Sequence, residues 1–199
     1  MMQPKAAIND FVIKFANVNG TGSASANGMF AKAIFRMGIP VSPRNIFPSN
    51  IQGLPTWYEV RISQDGYLGR RGGIDMMVSV NPQSFAKDVG EVEPGGYMLY
   101  DSTKPLDLRH VRRDIHYLGI PLTEMCLREY TDSRQRQLFK NVIYVGALSA
   151  LLNIDFSILK DLVSEQFKGK EKLITPNIHA LEMGHQYACL LYTSPSPRD

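Results

Sequence analysis

The stretch Asn17-Val18-Asn19-Gly20-Thr21-Gly22-Ser23-Ala24-Ser25-Ala26-Asn27 lies between two segments of different period, and that junction restricts the fold more than anything else in the chain. Before it, Asp10 to Ala16 is short, apolar and bounded by Asn, the pattern of a buried strand. After it, Ala26, Phe30, Ala33, Ile34 and Met37 recur at helical spacing, with Lys32 and Arg36 on the opposite face. The stretch is therefore a glycine-rich strand-to-helix turn, with Ser23 as the expected N-cap and Gly38 then Pro40 as the stop. Gly20 and Gly22 can take backbone angles that a Cβ resists and let the main chain approach a ligand closely.

Such a turn aims unpaired N–H groups and a positive dipole end at whatever sits before the helix, most often a phosphate. Taken alone, a Gly-x-Gly-x-x-Ser run is a weak motif, and a tight turn without a ligand has the same appearance. Two features favour an anion. Between Phe11 and Tyr58 there is no Asp or Glu, while Lys14, Lys32, Arg36 and Arg44 are present. An NAD site also places an acid after the next strand, whereas Pro40 to Asn45 offers Arg44. This points away from NAD and toward NADP or another phosphorylated nucleotide such as coenzyme A.

Further along, Val41–Phe47 reads as a strand that Pro43 interrupts, and so as an edge or a bent strand. Pro48 to Pro55 is a loop dense in turn residues. Thr56–Ser63 reads as a strand with one wet face, and Gln64–Gly73 as a basic, flexible loop. Ile74–Val80 is nearly all apolar, as a central strand would be. Asn81-Pro82 is expected to open a short helix through Lys87, Pro94-Gly95-Gly96 to form a turn, and Tyr97–Tyr100 and Asp114–Leu118 to be strands. Helical periodicity covers Arg134–Leu152, Asp155–Phe167 and Thr175–Ala188, the last with Thr175 as cap and Pro176 at its first position. Strands alternating with helices and then a helical end predict an α/β fold, a three-layer arrangement with a mostly parallel sheet flanked by helices.

With 199 residues, 44% hydrophobic and 21% charged, the chain has the size and composition of one substantial globular domain. A net charge of +3, spread along the chain, gives no reason to expect nucleic acid. Cys126 and Cys189 form no disulfide or metal spacing, and a reducing, cytoplasmic compartment fits. No apolar run is long enough to predict a membrane span. The end, Cys189 to Asp199, turns abruptly to Ser, Pro and charge. It resembles a translated sequencing adapter more than a native tail. The expected division is thus an arm at 1–8, a domain at 9–188 and a non-native segment at 189–199, with the chain truncated near Ala188.

Asn17–Ser63, continued by Gly66-Tyr67-Leu68-Gly69-Arg70-Arg71-Gly72-Gly73-Ile74-Asp75, resembles the gamma domain of 2-oxoacid:ferredoxin oxidoreductases. The likeness is greatest to the form fused to the front of the alpha subunit in 2-oxoglutarate-type enzymes. Asn19–Asn27, the long Ser49-Asn50-Ile51-Gln52-Gly53-Leu54-Pro55-Thr56-Trp57-Tyr58 motif, Tyr100-Asp101-Ser102 and Lys140–Ala147 carry it, over about residues 9–188. The resemblance implies oxidative decarboxylation of a 2-oxoacid to an acyl-CoA and CO2, with electrons passed to ferredoxin. Thiamine diphosphate, Mg and iron–sulfur clusters would sit on partner chains or domains: the alpha-subunit pyrimidine domain and a beta subunit. The gamma domain itself would assist assembly and coenzyme A binding, without catalytic residues or metal, so the fragment alone would be inactive.

For that coenzyme the candidate contacts are Asn19, Gly20, Thr21, Gly22 and Ser23 in the turn, Ser49, Asn50, Gln52, Gly53 and Thr56 in the second motif, and Arg70. Trp57, the sole tryptophan, could stack on a base or simply fill the core. Arg71 could pair an anion or point to solvent. Lys140 and Asn141 could face the crevice or cap the buried helix. Arg109, His110, Arg112, Arg113 and His116 read as a surface cluster, Cys126 as a buried small residue, and the spacing of His179 and His185 does not suit metal ligation. The alternatives are an NADP-binding regulatory module, with Arg44 on the 2′-phosphate, and a purely structural assembly domain with an empty turn.

Overall fold

The computed structural model describes residues 9–48, 51 and 53–193. It divides into two compact units, one ending at Pro121 and the other starting at Leu122.

The first unit is built on a six-stranded sheet: β1 (Asp10–Val18), β2 (Val41–Ile46), β3 (Pro55–Ser63), β4 (Ile74–Ser79), β5 (Val92–Asp101) and β6 (His116–Ile120), in spatial order β2-β3-β1-β4-β5-β6. The pairs β1/β4, β4/β5 and β5/β6 are parallel. β3 runs antiparallel to both of its neighbours, with Asp10 opposite Ser63 and Val18 opposite Pro55. The sheet is thus mostly parallel, as the alternation of strands and helices predicts, with one reversed strand. β3 is covered on both sides and almost wholly buried, so the expected wet face is absent.

Alternation along β1 assigns the layers. Phe15 faces α1 (Ser23–Arg36), where Phe30 meets it edge-on at 5.2 Å and Tyr58 of β3 at 6.3 Å. Val12 and Ala16 face the other way, into a cluster with Trp57, Met77, Val92 and Met98 that includes Val89 of α2 (Phe85–Glu91). Helices therefore cover both faces of the sheet. Pro43 does lie in an edge strand, and Ile74–Ser79 is central. Two boundaries differ from expectation. The first helix after β4 starts at Phe85, because Pro82 and Gln83 form a turn closed by the Asn81 side chain accepting from the Gln83 amide. Pro94-Gly95-Gly96 is not a turn but part of β5, where Gly96 passes within reach of the Asp75 and Glu93 carbonyls, 2.8 Å from where a Cβ would stand.

The second unit is helical: α3 (Leu122–Glu129), α4 (Ser133–Leu151), α5 (Phe156–Gln166) and α6 (Glu171–Ala188), followed by a π-helical turn at Cys189–Thr193. Asp132 and Asp155 cap α4 and α5 by accepting from Gln135 and Ser157 amides. α3 was not foreseen. α6 begins before Thr175, so Pro176 is inside the helix rather than at its start. α4 and α6 meet through glycine. A Cβ on Gly146 would stand 2.0 Å from the Leu181 carbonyl oxygen, and one on Gly184 would stand 1.9 Å from that of Ile143. Ser149 Oγ and His185 Nδ1 are 2.7 Å apart in the same pair of helices. Burial of His185 pushes its pKa down. No helix among the described residues is long and apolar enough to cross a membrane.

Candidate functional site

The site forms at the carboxyl end of β1, where the reversed strand brings a second loop back to the glycine turn. The β1/β3 ladder continues past the strand ends: Asn19 N–H donates to the Leu54 carbonyl at 2.9 Å, and Gly53 N–H to the Asn19 carbonyl at 3.1 Å. The Asn19 side-chain amide also reaches the Ile51 carbonyl at 3.3 Å. Gly20 and Gly22 have φ of 85° and 78°, the left-handed region where a Cβ is penalised. Thr21 Oγ1 donates to the Val18 carbonyl at 2.8 Å and closes the turn from within. Ser23 is not the N-cap. It is the first helical residue, Gly22 takes the cap position, and no side chain caps α1. The amides of the first turn consequently point outward without a side-chain acceptor.

In front of them is a cleft of about 240 Å³ lined by Asn19, Gly20, Gly22, Ser23, Asn45 and Thr56 among others, with Phe47 and Tyr58 as its aromatic side. None of the lining side chains is charged. Buried Asn27 Nδ2 donates to Asn17 Oδ1 at 2.9 Å, pinning α1 to β1, and Asn81 Nδ2 donates to the Asn17 carbonyl at 3.2 Å, pinning the end of β4. Thr56 Oγ1 donates to the Ile46 carbonyl at 3.2 Å, so β2 and β3 keep a fixed edge there. Burial pushes the Tyr58 phenol pKa up, favouring its neutral form.

On the opposite face of the sheet, the one that Ala16 and α2 share, lies a buried carboxylate. Trp57 Nε1 donates to Asp88 Oδ1 at 2.8 Å, while Ser79 Oγ and Ser84 Oγ donate to Asp88 Oδ2 at 2.9 and 2.8 Å. Asp88 is completely buried. Burial raises its pKa, the three hydrogen bonds draw it back down, and Glu91 nearby adds a small upward push. Trp57 and Ser79 are the two neighbours of Ala16 across the sheet. The methyl side chain of Ala16 leaves the space in which the indole and the carboxylate meet. Lys87 Nζ lies 4.1 Å and Lys14 Nζ 5.6 Å from the Trp57 ring centroid, and both lysines pair with Glu91.

Of the residues named from the sequence, Asn19, Gly20, Gly22, Ser23 and Thr56 line this cleft. Thr21 and Gly53 bond within the turn and loop beside it. Ser49, Asn50 and Gln52 lie outside the described residues. Arg70 is not brought there. Its loop, 64–73, joins the end of β3 to the start of β4, at the opposite edge of the sheet, roughly 25–30 Å away along a nine-residue strand. Arg71 pairs with Asp75. Two of the four cations of the acid-free window are also engaged elsewhere: Lys14 with Glu91, and Arg44 Nη2 with Glu59 Oε1 at 2.9 Å. The positive charge of Lys14 and Arg44 is therefore met by carboxylates of the first unit rather than offered to the turn. Lys140 and Asn141 fall in mid-helix, bonded to Thr123 Oγ1 and the Gln137 carbonyl. Arg109 and Arg112 are held by Asp107 and Asp114, and Arg109 keeps the Asp107 pKa down at about 2. Sequence reading missed Asn17, Asn27, Asn45 and Asp88. For Asn17 and Asn27 the available signal was a polar residue at a position that periodicity makes buried. Among the described residues, no three His, Cys, Asp or Glu side chains group as a metal site would require.

A family model described as pyruvate ferredoxin/flavodoxin oxidoreductase matches residues 12–187. The chain belongs to that family. Its relatives include the alpha subunit of 2-oxoacid:ferredoxin oxidoreductase 2 from Aeropyrum pernix, 23% identical over 95% of this chain and 35% of that one. Another is 2-oxoglutarate synthase subunit KorC from Archaeoglobus fulgidus, 24% identical over 87% of this chain and 88% of its own length. Among solved structures, 2-oxoglutarate:ferredoxin oxidoreductase from Magnetococcus marinus, with 2-oxoglutarate, coenzyme A and succinyl-CoA bound, superposes with a TM-score of 0.83 at 25% identity, over 94% of this chain and 32% of that one. The pyruvate oxidoreductase subunit PORC from Thermotoga maritima shares the fold, with a TM-score of 0.71 at 21% identity, over 89% of this chain and 96% of that subunit. The chain thus spans about a third of the Aeropyrum and Magnetococcus oxidoreductase chains and nearly all of the separate small subunits.

Proposed function

We propose that this chain is the coenzyme-A-assisting module of a 2-oxoacid:ferredoxin oxidoreductase, of the kind that acts on 2-oxoglutarate. The observation that carries the proposal is the uncapped start of α1, which opens through Gly20 and Gly22 onto a neutral, aromatic-walled cleft. Backbone amides and a helix dipole can hold a phosphate without any basic side chain. Asn19, Ser23, Asn45 and Thr56 offer hydrogen bonds to the uncharged parts of the coenzyme, and half-exposed Phe47 offers flat apolar surface. Ser49, Asn50 and Gln52 belong to the same proposed contact set through their loop. Thiamine diphosphate supplies the electron sink for decarboxylation and belongs, with Mg and the iron–sulfur clusters, to partner domains: the pyrimidine-binding part of the alpha subunit and a beta subunit. Ferredoxin would take the electrons, in a cytoplasmic setting. On this reading residues 9–188 are the gamma-type module and 189–199 are foreign to it.

The test is calorimetric titration of the full chain with coenzyme A, dephospho-coenzyme A and NADPH at two salt concentrations. Coenzyme A should bind, and Gly22→Val should abolish its binding while the fold persists. Preference for NADPH would replace this reading with the nucleotide module, against the pairing of Arg44 with Glu59. No binding by the chain, nor by the complex reconstituted with its partner subunits, would leave a purely structural assembly domain.

A further inference from the structure

We infer that Asn45 and Phe47 form an adenine site: the flat face of Phe47 carries the base, the Asn45 carboxamide reads its edge, and the start of α1 holds the phosphates joined to it. Strand alternation puts Asn45 on the α1 face. It pairs with Tyr58 across β2 and β3, Tyr58 pairs with Phe15 across β3 and β1, and Phe15 faces α1. Phe47 follows two residues later and lines the same cleft, half-exposed. By the same alternation Arg44 and Trp57 fall on the other face, so neither the cation nor the stacking residue that the sequence offered is available there. Several other polar side chains of the cleft are engaged within the protein: Thr56 with the Ile46 carbonyl, Asn27 with Asn17, and Asn19 with the Ile51 carbonyl. The Asn45 carboxamide and the Ser23 hydroxyl have no hydrogen-bond partner among the described residues. Ser23 is only 6% exposed and opens the uncapped helix, so a buried hydroxyl stands ready beside the free amides. A carboxamide offers one donor and one acceptor side by side. Adenine presents the complement on either polar edge, a 6-amino donor next to a ring-nitrogen acceptor. An exposed aromatic ring beside such an amide takes a planar heterocycle on its face. The branched, saturated pantetheine arm of coenzyme A has no plane to stack. That the base belongs to coenzyme A rests on the function proposed above. The adenine site does not.

The full chain is titrated calorimetrically with ADP, with purine riboside 5′-diphosphate, which lacks only the 6-amino group, with 4′-phosphopantetheine and with coenzyme A. ADP should bind, the nucleotide without the amino group about fivefold more weakly, and 4′-phosphopantetheine more weakly than either. Asn45→Ala should weaken ADP about fivefold and bring the two nucleotides to about equal affinity. Phe47→Ala should weaken both about tenfold and keep their ratio. Both side chains are exposed, so the variants should melt as the wild type does. Equal affinity for the two nucleotides in the wild type, or a preference that Asn45→Ala leaves unchanged, overturns the inference. So does tighter binding of 4′-phosphopantetheine than of ADP. If coenzyme A binds and ADP does not, the adenine site fails and the coenzyme reading stands. If ADP binds with the expected preference and coenzyme A does not, the coenzyme reading fails and the cleft is a site for a free adenine nucleotide. If neither binds, to the chain or to the complex reconstituted with its partner subunits, both fail.

Discussion

Each of the two units has a buried junction, and the two junctions use opposite chemistry. In the first unit, Asp88 joins β3, β4 and α2 by gathering three hydrogen bonds around one carboxylate. In the second, α4 and α6 are joined by the lack of side chains at Gly146 and Gly184, which brings backbone against backbone. The polar junction is directional and fixes one ring between the sheet and α2, at the standing cost of burying a carboxyl group. The glycine junction has no directional partner at its centre, and its strength is close packing over a long helix pair. The first kind sets the orientation of particular groups, and the second sets only how closely two helices approach.

The comparison can be broken most sharply at Gly184. A methyl there would meet the Ile143 carbonyl at 1.9 Å, so Gly184→Ala should cost about 3 kcal/mol as the helices are forced apart. A denaturant melt checks it, and a loss under about 1 kcal/mol would mean that the crossing yields easily. Asp88→Ala should cost about 2 kcal/mol, because it strands an indole N–H and two hydroxyls in the core. Its pH dependence separates charge from shape. A raised folded-state pKa means that the penalty of the ionised carboxyl is absent below the ordinary carboxylate range near pH 4, sets in as pH rises through it, and is complete above the folded value. The wild type should therefore lose stability relative to Asp88→Asn as pH rises across that window. Parallel melting profiles for the two proteins would argue against it.

Smaller effects follow. Gly22→Ala should cost about 1 kcal/mol for the left-handed backbone, with a larger loss in coenzyme A affinity than in stability. In the helical unit the sign is opposite to that of Asp88: the depressed pKa of His185 removes stability as pH falls below about 6.5, down to its folded value. His185→Gln should lack that slope in a melting series between pH 7.5 and pH 5. Arg44→Ala should change stability by no more than about 0.5 kcal/mol and leave coenzyme A binding as it was, since the Arg44–Glu59 pair is exposed on the arginine side.

Local signals carried much of this in the sequence. The glycine turn, the edge position of Pro43, the central strand at Ile74 and the buried α4 all rest on interactions within a few residues, and period or turn chemistry reports those directly. The reversal of β3 was not legible, because strand direction depends on partners distant in the chain. That reversal decides the fate of Arg70. In an all-parallel sheet the loop after β3 would open beside the turn, and the antiparallel run carries it to the far edge instead. Pro94-Gly95-Gly96 misled for a related reason, since Gly96 serves a close backbone passage rather than a turn. Asp88 stayed hidden because its three partners come from separate segments and nothing near it in sequence marks it as buried.

The reversed strand also says where the chain can tolerate change in length. The β1/β3 register runs without interruption from Asp10/Ser63 to Val18/Pro55, and on to the Asn19–Leu54 bond. One residue inserted in either strand would swap the faces of Trp57 and Tyr58, taking the indole off its carboxylate. Loop 64–73 carries no such obligation, as it crosses from β3 to β4 past β1 at the end remote from the cleft. An epitope, a fluorophore or a whole inserted domain belongs there, around exposed Asp65–Tyr67, where growth of the chain leaves the register untouched.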